Sequence, residues 1–372
     1  FSELLNGMGL QTSPLLLNVI LPVGISFYTF HGLSYVIDIY LKRIKPEYNF
    51  VDYSLFVSYF PLLVAGPIER ATHLLPQVKV KRTFDLEKAK EGLAQILWGL
   101  VKKVVIADTC ATYANAVFDN YSSMNSLSLM LGAIYFAFQI YGDFSGYSDM
   151  ALGMSKLFGI DLLKNFNYPY FSRDIAEFWR RWHISLSSWF RDYLYIPLGG
   201  SQGGMWFKIR NTFIIFLVSG FWHGANWTYV VWGLLNAIYF LPLLVLQKNR
   251  NNTGPVVVNF DWKGLQTVVN ILITFLLSTI AWVFFRAKSI TDAVLYLKQM
   301  VNNGDFSSQY LSNERYNYEI LLLIGVFVVV EWNNRNRVEP LSGRYSLVKF
   351  GLAIAAIMAL GTFSVYKEFL ST

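Results

Sequence analysis

The stretch NTFIIFLVSGFWHGANWTYVVWGLLNAIYFLPLLVLQ, residues 211–247, decides the fold class of this chain. It contains no Asp, Glu, Lys or Arg. A spanning helix needs about 20 apolar residues, and one straight helix over this run would measure roughly 55 Å against a hydrocarbon core of about 30 Å. The run therefore predicts membrane insertion, and it must break, tilt strongly or turn back.

The same charge-free pattern recurs along the chain, and 92–107 is also apolar apart from Lys102 and Lys103. We expect about seven to nine membrane segments in an all-α, polytopic integral membrane protein. The run 320–330 is too short to span unless it recruits flanking residues, so it either spans in that way or is re-entrant. The further charge-free runs are 4–37, 53–68, 120–142, 264–285 and 350–366.

Composition supports this class. Hydrophobic residues make up 54% of the 372 residues and charged residues 15%, whereas a soluble domain carries about 25% charged residues. Aromatic residues reach 17%, and Trp and Tyr favour membrane interfaces. These values exclude a disordered chain, a coiled coil and a collagen-like fibre. Cys110 is the only cysteine, which excludes a disulfide-stapled secreted domain.

Basic residues predict the orientation. Residues 67–103 carry eight Lys and Arg against four Asp and Glu, and residues 164–210 carry seven against three. The two apolar runs between these regions, 92–107 and 120–142, cross the membrane in opposite directions and bring the chain back to the same side. We therefore place both basic regions on the cytoplasmic face. The net charge of +7 then indicates membrane anchoring rather than nucleic-acid binding.

This orientation extends to the later segments. We expect Gln202 on the cytoplasmic face and Asn252 outside, on the two sides of the run 211–247. Arg286 and Lys288 would then be cytoplasmic after a descending helix at 264–285. Arg335, Arg337 and Arg344 would lie outside if 320–330 spans, and a re-entrant 320–330 would remove that conflict.

The segment DIAEFWRRWHISLSSWFRDYLY, residues 174–195, has apolar residues at steps of three and four, which predicts an amphipathic helix. Its charged residues exclude a simple lipid-facing span. We interpret it as an interfacial or half-inserted helix with Asp174 as N-cap, with Trp side chains at headgroup level and with snorkelling Arg side chains. His183 lies at the edge of the apolar face and is either incidental or functional.

GFWHG, residues 220–224, places His223 inside the charge-free run 211–247. In a continuous helix it would lie about 18 Å from Asn211, near the middle of the bilayer. Ionisable groups at that depth are rare and usually functional. The alternative is a neutral structural histidine bonded across helices, and the pattern does not decide between the two.

YGDFSGYSD, residues 141–149, follows the run 120–142 and brings Asp143, Ser145 and Tyr147 to the end of an apolar segment. It is either a polar funnel that partners a catalytic histidine or a helix terminus that reaches water. His31 and His73 carry weaker signals and are interpreted as structural.

Several chemistries lack their motifs. The chain has no GxSxG, Walker A, GxGxxG or HExxH motif. Four dispersed histidines and one cysteine disfavour a metal centre, so we predict no metal ligands. The remaining candidate is a membrane-buried histidine whose neutral imidazole takes a proton from a hydroxyl nucleophile.

Five segments carry a resemblance that covers most of residues 21–240, whereas 245–372 matches only in its apolar pattern. With these segments the chain resembles the membrane-bound O-acyltransferase family, in particular its alginate O-acetyltransferase branch. The segments are LPVGISFYTFHGLSYVIDIY at 21–40, FPLLVAGPIER at 60–70, YGDFSGYSDMALGMSKLFGI at 141–160, NFNYPYFSRDIAEFWRRWHISLSSWFRDYLYIPLGG at 165–200 and FWHGANWTYVVWG at 221–233.

The resemblance implies a bundle of spanning, re-entrant and interfacial helices and an acyl transfer through the membrane. It implies that His223 is the catalytic base and that His183 is a second site histidine. It also implies one membrane unit over 1–372, a motif-bearing core at 21–240, and family segments missing from the N-terminal side. The similar D-alanyl transfer proteins of teichoic acid synthesis share both histidines but depart from RDYLYIPLGG.

We therefore expect a multi-pass O-acyltransferase of the bacterial inner membrane. It would move acetyl groups from a cytoplasmic thioester such as acetyl-CoA, with no bound cofactor, to hydroxyls of an exported polysaccharide, directly or through periplasmic partner proteins. The alternatives are D-alanyl transfer to teichoic acids and a non-catalytic acyl or glycan conduit. Besides the two histidines, the candidate substrate-binding residues are Arg180, Arg181, Asp143, Ser145, Tyr147, Trp222 and Asn226.

Overall fold

A computed structural model describes residues 24–259, 261–311, 317–335, 341 and 346–361. These residues form α-helices with short 3₁₀ and π-helical turns, and no β-strand occurs among them. The predicted all-α class is confirmed. Residues 4–23 of the first predicted run and residues 362–366 of the last lie outside the described residues.

Fourteen α-helices occur in the described residues, and we number them in chain order. They are α1 (Ile25–Tyr40), α2 (Phe50–Val57), α3 (Ala71–Lys79), α4 (Leu86–Leu100), α5 (Asp108–Asp119), α6 (Ser126–Leu157), α7 (Ile175–Arg181), α8 (Ile184–Phe190), α9 (Met205–His223), α10 (Trp227–Val245), α11 (Trp262–Arg286), α12 (Ile290–Asn302), α13 (Glu319–Asn334) and α14 (Ser346–Leu360).

Three of these helices, α6, α10 and α11, are long and apolar enough to cross a membrane, and a shorter apolar helix covers Leu347–Leu360. The other predicted segments with described residues fall on helices that are shorter or less uniformly apolar. One of them is the α4–α5 pair, which the π-helical segment Val101–Ala107 joins.

The α4–α5 pair and α6 run antiparallel. Lys88 bonds to Asp161 and Lys156 to Glu91 at one end, with N–O distances of 3.0 and 3.5 Å. This end carries the basic residues of 67–91 and 164–210, and we call it the basic face. The two apolar runs therefore return the chain to the same side, as predicted from the charges.

The run 211–247 turns back. Helix α9 ends at His223, helix α10 begins at Trp227, and the two pack antiparallel through glycine. A Cβ on Gly220 would lie 2.3 Å from the Tyr229 carbonyl oxygen, so the backbones touch there. Close approach at small residues is the usual packing of membrane helices, because lipid offers little hydrophobic drive between helices.

This hairpin corrects the predicted topology. Ser201 before α9 and Asn249 after α10 line one cavity, and Arg180 donates to the Asn249 and Asn252 carbonyl oxygens at 2.8 and 2.9 Å. Gln202 and Asn252 therefore lie on the same side, and the expectation of opposite sides is wrong. It assumed that 211–247 crosses once, whereas it forms two helices.

The later helices change sides accordingly. Asn226 in the hairpin turn donates to the Lys288 carbonyl oxygen at 3.0 Å, and the Lys288 ammonium bonds to Asp119 at 3.0 Å. Arg286 and Lys288 thus lie opposite the basic face, contrary to the expectation. Arg335 donates to the Val256 carbonyl oxygen at 3.2 Å, so it lies at the basic face after α13. Arg337 and Arg344 lie outside the described residues.

Buried charges join α13 to the bundle. The Lys102 side chain is buried and bonds to Asp149 at 3.0 Å and to Glu331 at 3.3 Å. The Tyr141 hydroxyl donates to both Glu331 oxygens at 2.9 Å. Because an unpaired buried charge is costly, each partner fixes the others in place.

The hairpin gives a testable topology. Cysteines at Gln202 and Asn252 should react with a membrane-impermeant maleimide from the same side, and a cysteine at Asn302 from the other. The assay uses sealed vesicles of both orientations in a Cys110→Ser background. Labelling of Gln202→Cys and Asn252→Cys from opposite sides would contradict the hairpin.

The helix contact also gives a stability prediction. A Cβ on Gly233 would lie 2.3 Å from the Phe216 carbonyl oxygen, whereas one on Gly325 in α13 would meet nothing within 4 Å. Gly233→Ala should destabilise the fold by about 1–3 kcal/mol, the usual cost of overpacking. Gly325→Ala, the matched control, should be neutral or slightly stabilising. Thermal unfolding of the two purified variants in detergent compares them, and equal melting temperatures would argue against the contact.

Candidate active site

His183 lies between two short helices rather than on one long helix. Helix α7 ends at Arg181 and helix α8 begins at Ile184, and His183 between them has φ 44° and ψ 54°. Few residues other than glycine adopt this left-handed region, so the surrounding structure must hold the turn. The continuous interfacial helix predicted for 174–195 is therefore wrong, although Asp174 caps α7 as predicted, accepting from the Glu177 N–H at 2.7 Å.

Two tryptophans of this segment pack inside the protein. Trp182 and Trp189 are buried, and the Trp182 ring lies 5.0 Å from that of Trp282 in α11. These side chains therefore pack within the protein core, and their level relative to the lipid headgroups stays a prediction. The position of the segment follows from the break at His183, which turns α8 away from the line of α7.

Hydrogen bonds fix the His183 ring. The side chain is only 3% exposed, and Nδ1 lies 3.0 Å from the Asn165 Oδ1 atom. Phe144 of α6 packs against the ring edge-to-face at 4.6 Å. The other ring nitrogen, Nε2, is buried and has no hydrogen-bond partner in the part of the chain that the structure describes.

His223 is the last residue of α9 and is surrounded by aromatic rings. Trp232 packs at 5.2 Å with an interplanar angle of 90°, and Phe285 packs at 5.1 Å. Because Phe285 is the next-to-last residue of α11, His223 lies where α9 and α11 both end. It does not lie at mid-length, as the single-helix reading of 211–247 had placed it.

Trp222 brings the two histidines together. Its ring centroid lies 6.4 Å from that of His183 and 4.7 Å from that of His223. The distance between the centroids of the two imidazole rings therefore cannot exceed the sum of these two distances. His183 and His223, which are 40 positions apart in the sequence, therefore both lie next to Trp222.

The polar segment 141–149 lies inside α6, which continues to Leu157, so it is not a helix terminus. Asp143 bonds to Lys103 at 2.7 Å, and Tyr147 lies near the backbone of Val64 and Ala65. The Ser145 hydroxyl is buried and has no partner among the described residues. The structure thus directs Asp143 and Tyr147 to other partners than His183.

Arg180 and Arg181 hold the chain together at the basic face. Arg181 bonds to Glu177 through Nε and Nη2 at 3.1 and 2.8 Å and donates from Nη1 to the Asn167 carbonyl oxygen at 3.1 Å. Arg180 holds the loop that follows α10 through two carbonyl oxygens, as described above. Both guanidinium groups therefore have structural partners, and their proposed role in donor binding stays a prediction.

Asn226 caps α10. Its side-chain oxygen accepts from the Thr228 N–H at 3.0 Å, and its amide nitrogen donates to Lys288. The predicted role of Asn226 in substrate binding stays a prediction, as does that of Trp222.

The sequence analysis missed the residues that hold His183. Asn165 is 1% exposed and contacts His183, Ser185 and Ser148. Ser185 in turn accepts from the Ile68 N–H at 2.8 Å. Asn165 opens the quoted segment NFNYPYF, but nothing in the spacing pairs it with a histidine 18 positions later.

The other two histidines belong to a separate cluster around buried Glu69. His31 accepts from the Glu69 N–H at 3.1 Å, and the Glu69 carboxylate bonds to His73 at 2.7 Å. This hydrogen bond raises the pKa of His73 above its ordinary value. Among the described residues, no group of His, Cys, Asp and Glu is placed to hold a metal ion.

A cavity of about 520 Å³ opens beside α8, α9 and α10. Arg191, Lys208 and Arg250 line it, together with Phe216. A series of edge-to-face aromatic contacts connects its wall to His223. The ring contacts are Phe216 to Trp179 at 5.4 Å, Trp179 to Trp232 at 5.7 Å, and Trp232 to His223 at 5.2 Å.

Comparison with known proteins identifies relatives of this chain. A family model for MBOAT, the membrane-bound O-acyltransferase family, matches residues 39–286. The chain is 41% identical over 312 residues to the probable alginate O-acetylase AlgI of Pseudomonas aeruginosa, covering 84% of this chain and 57% of that relative.

Two further relatives carry other names. The peptidoglycan O-acetyltransferase of Helicobacter pylori is 39% identical over 324 residues, covering 80% of this chain and 60% of that protein. The teichoic acid D-alanyltransferase of Bacillus subtilis is 29% identical over 230 residues, covering 59% and 58%. The chain thus spans roughly three fifths of the length of these relatives.

The variant Arg181→Lys tests whether Arg181 stabilises the fold or binds the acyl donor. Lys carries one charged nitrogen and cannot reach Glu177 and the Asn167 carbonyl oxygen as the planar guanidinium does. Arg181→Lys should lower the stability by about 1.5–3 kcal/mol, the worth of a charge-assisted hydrogen bond. If Arg181 only supports the fold, the donor KM stays unchanged in the folded fraction. A raised donor KM at unchanged melting temperature would instead assign Arg181 to the donor.

Proposed function

Since the chain belongs to the membrane-bound O-acyltransferase family, we propose that it transfers acyl groups within the membrane to hydroxyls of an exported polysaccharide. The observation that carries this proposal is the pair of histidines on the Trp222 ring, one of which, His183, has a buried ring nitrogen with no partner in the described part of the chain. Acyl transfer to a hydroxyl is accelerated by a general base that takes the hydroxyl proton, and a neutral imidazole can act as that base.

In this proposal His223 is the general base. Its imidazole takes the proton as the acceptor oxygen attacks the thioester carbonyl, the new C–O bond forms and the C–S bond breaks. The thiolate leaves and takes the proton from the imidazolium as a thiol. Trp222, Trp232 and Phe285 pack against the partly exposed imidazole. In this proposal the bound substrate covers the remaining side and excludes water, which strengthens the electrostatic interactions that stabilise the transition state.

The donor reaches this site from the basic face. We place it in the cavity beside α8–α10, because a coenzyme A or phosphopantetheinyl thioester presents phosphate and Arg191, Lys208 and Arg250 line that cavity. Arg binds phosphate bidentately and Lys as a point charge. The positive-inside rule makes this face cytoplasmic, which fits a cytoplasmic donor such as acetyl-CoA and a bacterial inner-membrane location.

The acceptor reaches the site from the opposite face, where the α9–α10 turn lies. Relatives are named for alginate, peptidoglycan and teichoic acid, and we propose an exported polysaccharide for this chain, served directly or through periplasmic partner proteins. The resemblance of 191–200 favours acetyl over D-alanyl transfer. A non-catalytic conduit for acyl groups or glycan would use the same interior without a covalent step.

The test is single-turnover transfer from radiolabelled acetyl-coenzyme A to alginate oligosaccharides by the purified protein in lipid vesicles. His223→Ala should lower the rate about 10²–10⁴-fold, the usual worth of a general base, at nearly unchanged stability. His73→Gln is the matched control and should transfer at the wild-type rate, because His73 belongs to the Glu69 cluster.

Acid should also slow the wild-type protein, since a protonated imidazole cannot accept a proton. A His223→Ala rate above about a third of wild type would remove His223 as the base. Donor uptake without any acetyl ester in the wild-type protein would favour the conduit. Transfer from a D-alanyl thioester with none from acetyl-coenzyme A would favour the teichoic acid alternative.

A second experiment addresses the donor cavity. Lys208→Gln with Arg250→Gln should raise the acetyl-coenzyme A KM and leave kcat near wild type, because these side chains would contact the donor far from the reacting atoms. Lys298→Gln in α12, on the opposite face, is the control for loss of a positive charge outside the cavity. An unchanged KM would exclude this cavity as the donor site.

A further inference from the structure

The orientation of the Asn165 side-chain amide is fixed at one end. Its Nδ2 atom lies 3.2 Å from the Gly66 carbonyl oxygen and 3.1 Å from the Ser148 hydroxyl oxygen. A carbonyl oxygen only accepts hydrogen bonds, so the atom that faces Gly66 must be the NH₂ group. The opposite orientation would put two carbonyl oxygens against each other in a buried site.

The other end of the amide then determines the tautomer of His183. Oδ1 only accepts, and it lies 3.0 Å from His183 Nδ1 and 2.9 Å from the Ser185 hydroxyl. Ser185 can donate there because its oxygen accepts from the Ile68 N–H. Nδ1 must therefore carry the hydrogen, and the neutral ring has its lone pair on Nε2.

The backbone prevents His183 from escaping this arrangement. The Ile184 N–H donates to the Asn165 carbonyl oxygen at 2.9 Å, and the Asn167 N–H donates to the Arg181 carbonyl oxygen at 2.9 Å. Asn165 thus holds both the left-handed turn and the ring. The His183 ring centroid lies 6.4 Å from that of Trp222, and Nε2 is buried with no hydrogen-bond partner among the described residues. A buried acceptor without a donor costs free energy until something binds it.

We propose that Asn165 is a positioning residue that holds His183 in the Nδ1–H tautomer, so that Nε2 binds an O–H or N–H group of a substrate. This inference rests on the proposed function and refines it. The neutral His183 ring cannot donate a hydrogen bond to the acyl carbonyl from Nε2, so it does not stabilise the oxyanion.

The group that binds Nε2 is distinct from the attacking hydroxyl, whose single proton goes to His223. Two substrates offer such a donor. A saccharide acceptor carries a neighbouring hydroxyl, and the pantetheine arm of the thioester carries amide N–H groups. In either case the hydrogen bond adds affinity for one substrate only, and this difference can be measured.

The tautomer can be read without any substrate. The chain has four histidines, so ¹⁵N-histidine labelling gives a simple spectrum in which protonated and unprotonated ring nitrogens differ in shift, and His183→Gln identifies the His183 signals. We expect Nδ1–H and unprotonated Nε2 in the wild-type protein. Asn165→Ala should shift His183 toward the Nε2–H tautomer. Ser148→Ala, which removes a partner at the other end of the same amide, should leave it unchanged.

An Nε2–H ring in the wild-type protein would overturn the proposal, whatever the activity, and this holds even where Asn165→Ala does not fold. An unchanged tautomer in folded Asn165→Ala would overturn it too. Absence of acyl transfer by the wild-type protein, in contrast, contradicts the proposed function and leaves the tautomer assignment testable by itself.

Kinetics with acetyl-coenzyme A and alginate oligosaccharides identify the bound group. Asn165→Ala should raise one of the two KM values roughly 2–10-fold, the worth of one neutral hydrogen bond. A raised acceptor KM assigns Nε2 to a sugar hydroxyl, and a raised donor KM assigns it to the pantetheine arm. Two unchanged KM values, with Ser148→Ala as the reference, would overturn the binding role of Nε2.

Discussion

Close backbone contact between helices is the constraint on which this structure depends. Apolar side chains gain little by leaving lipid for a protein interior, so membrane helices associate where their backbones can touch. Here α9 and α10 touch at Gly220 and Gly233, and α4 and α6 touch at Gly99, where a Cβ would lie 2.5 Å from the Gly146 carbonyl oxygen. The first contact closes the hairpin and thereby places His223 at its turn.

Buried ion pairs form a second set of contacts between the helices, in addition to the contacts at glycine. Lys102 lies in the π-helical segment between α4 and α5, and its two carboxylate partners come from α6 and α13. A π-helical turn shifts the register of a helix and is frequent at specialised positions. Removing one partner would leave the others as unpaired charges in a low-dielectric interior. The ion pairs therefore tie the C-terminal helices to the motif-bearing part of the chain.

The two histidines are held in different ways, and this suits different tasks. Asn165 fixes His183 by a hydrogen bond within a left-handed turn, so the direction of its Nε2 atom is set before any substrate arrives. His223 has aromatic neighbours, and among the described residues no hydrogen bond fixes its ring. This difference fits the roles proposed above, in which the His223 ring accepts a proton and can adjust its position, while the His183 ring binds a substrate group and stays fixed.

The sequence by itself determined the membrane class, the helical content, the cap at Asp174 and the two histidines, because apolar run length, side-chain periodicity and the quoted motifs are local properties. Only the tertiary structure decided that 211–247 turns back, which reverses the side of every later segment. It alone paired Asn165 with His183 and Lys102 with Glu331, since hydrogen bonds and ion pairs depend on distance in space and leave no periodic signal along the chain. The tautomer of His183 follows from such a pairing and was therefore invisible in the sequence.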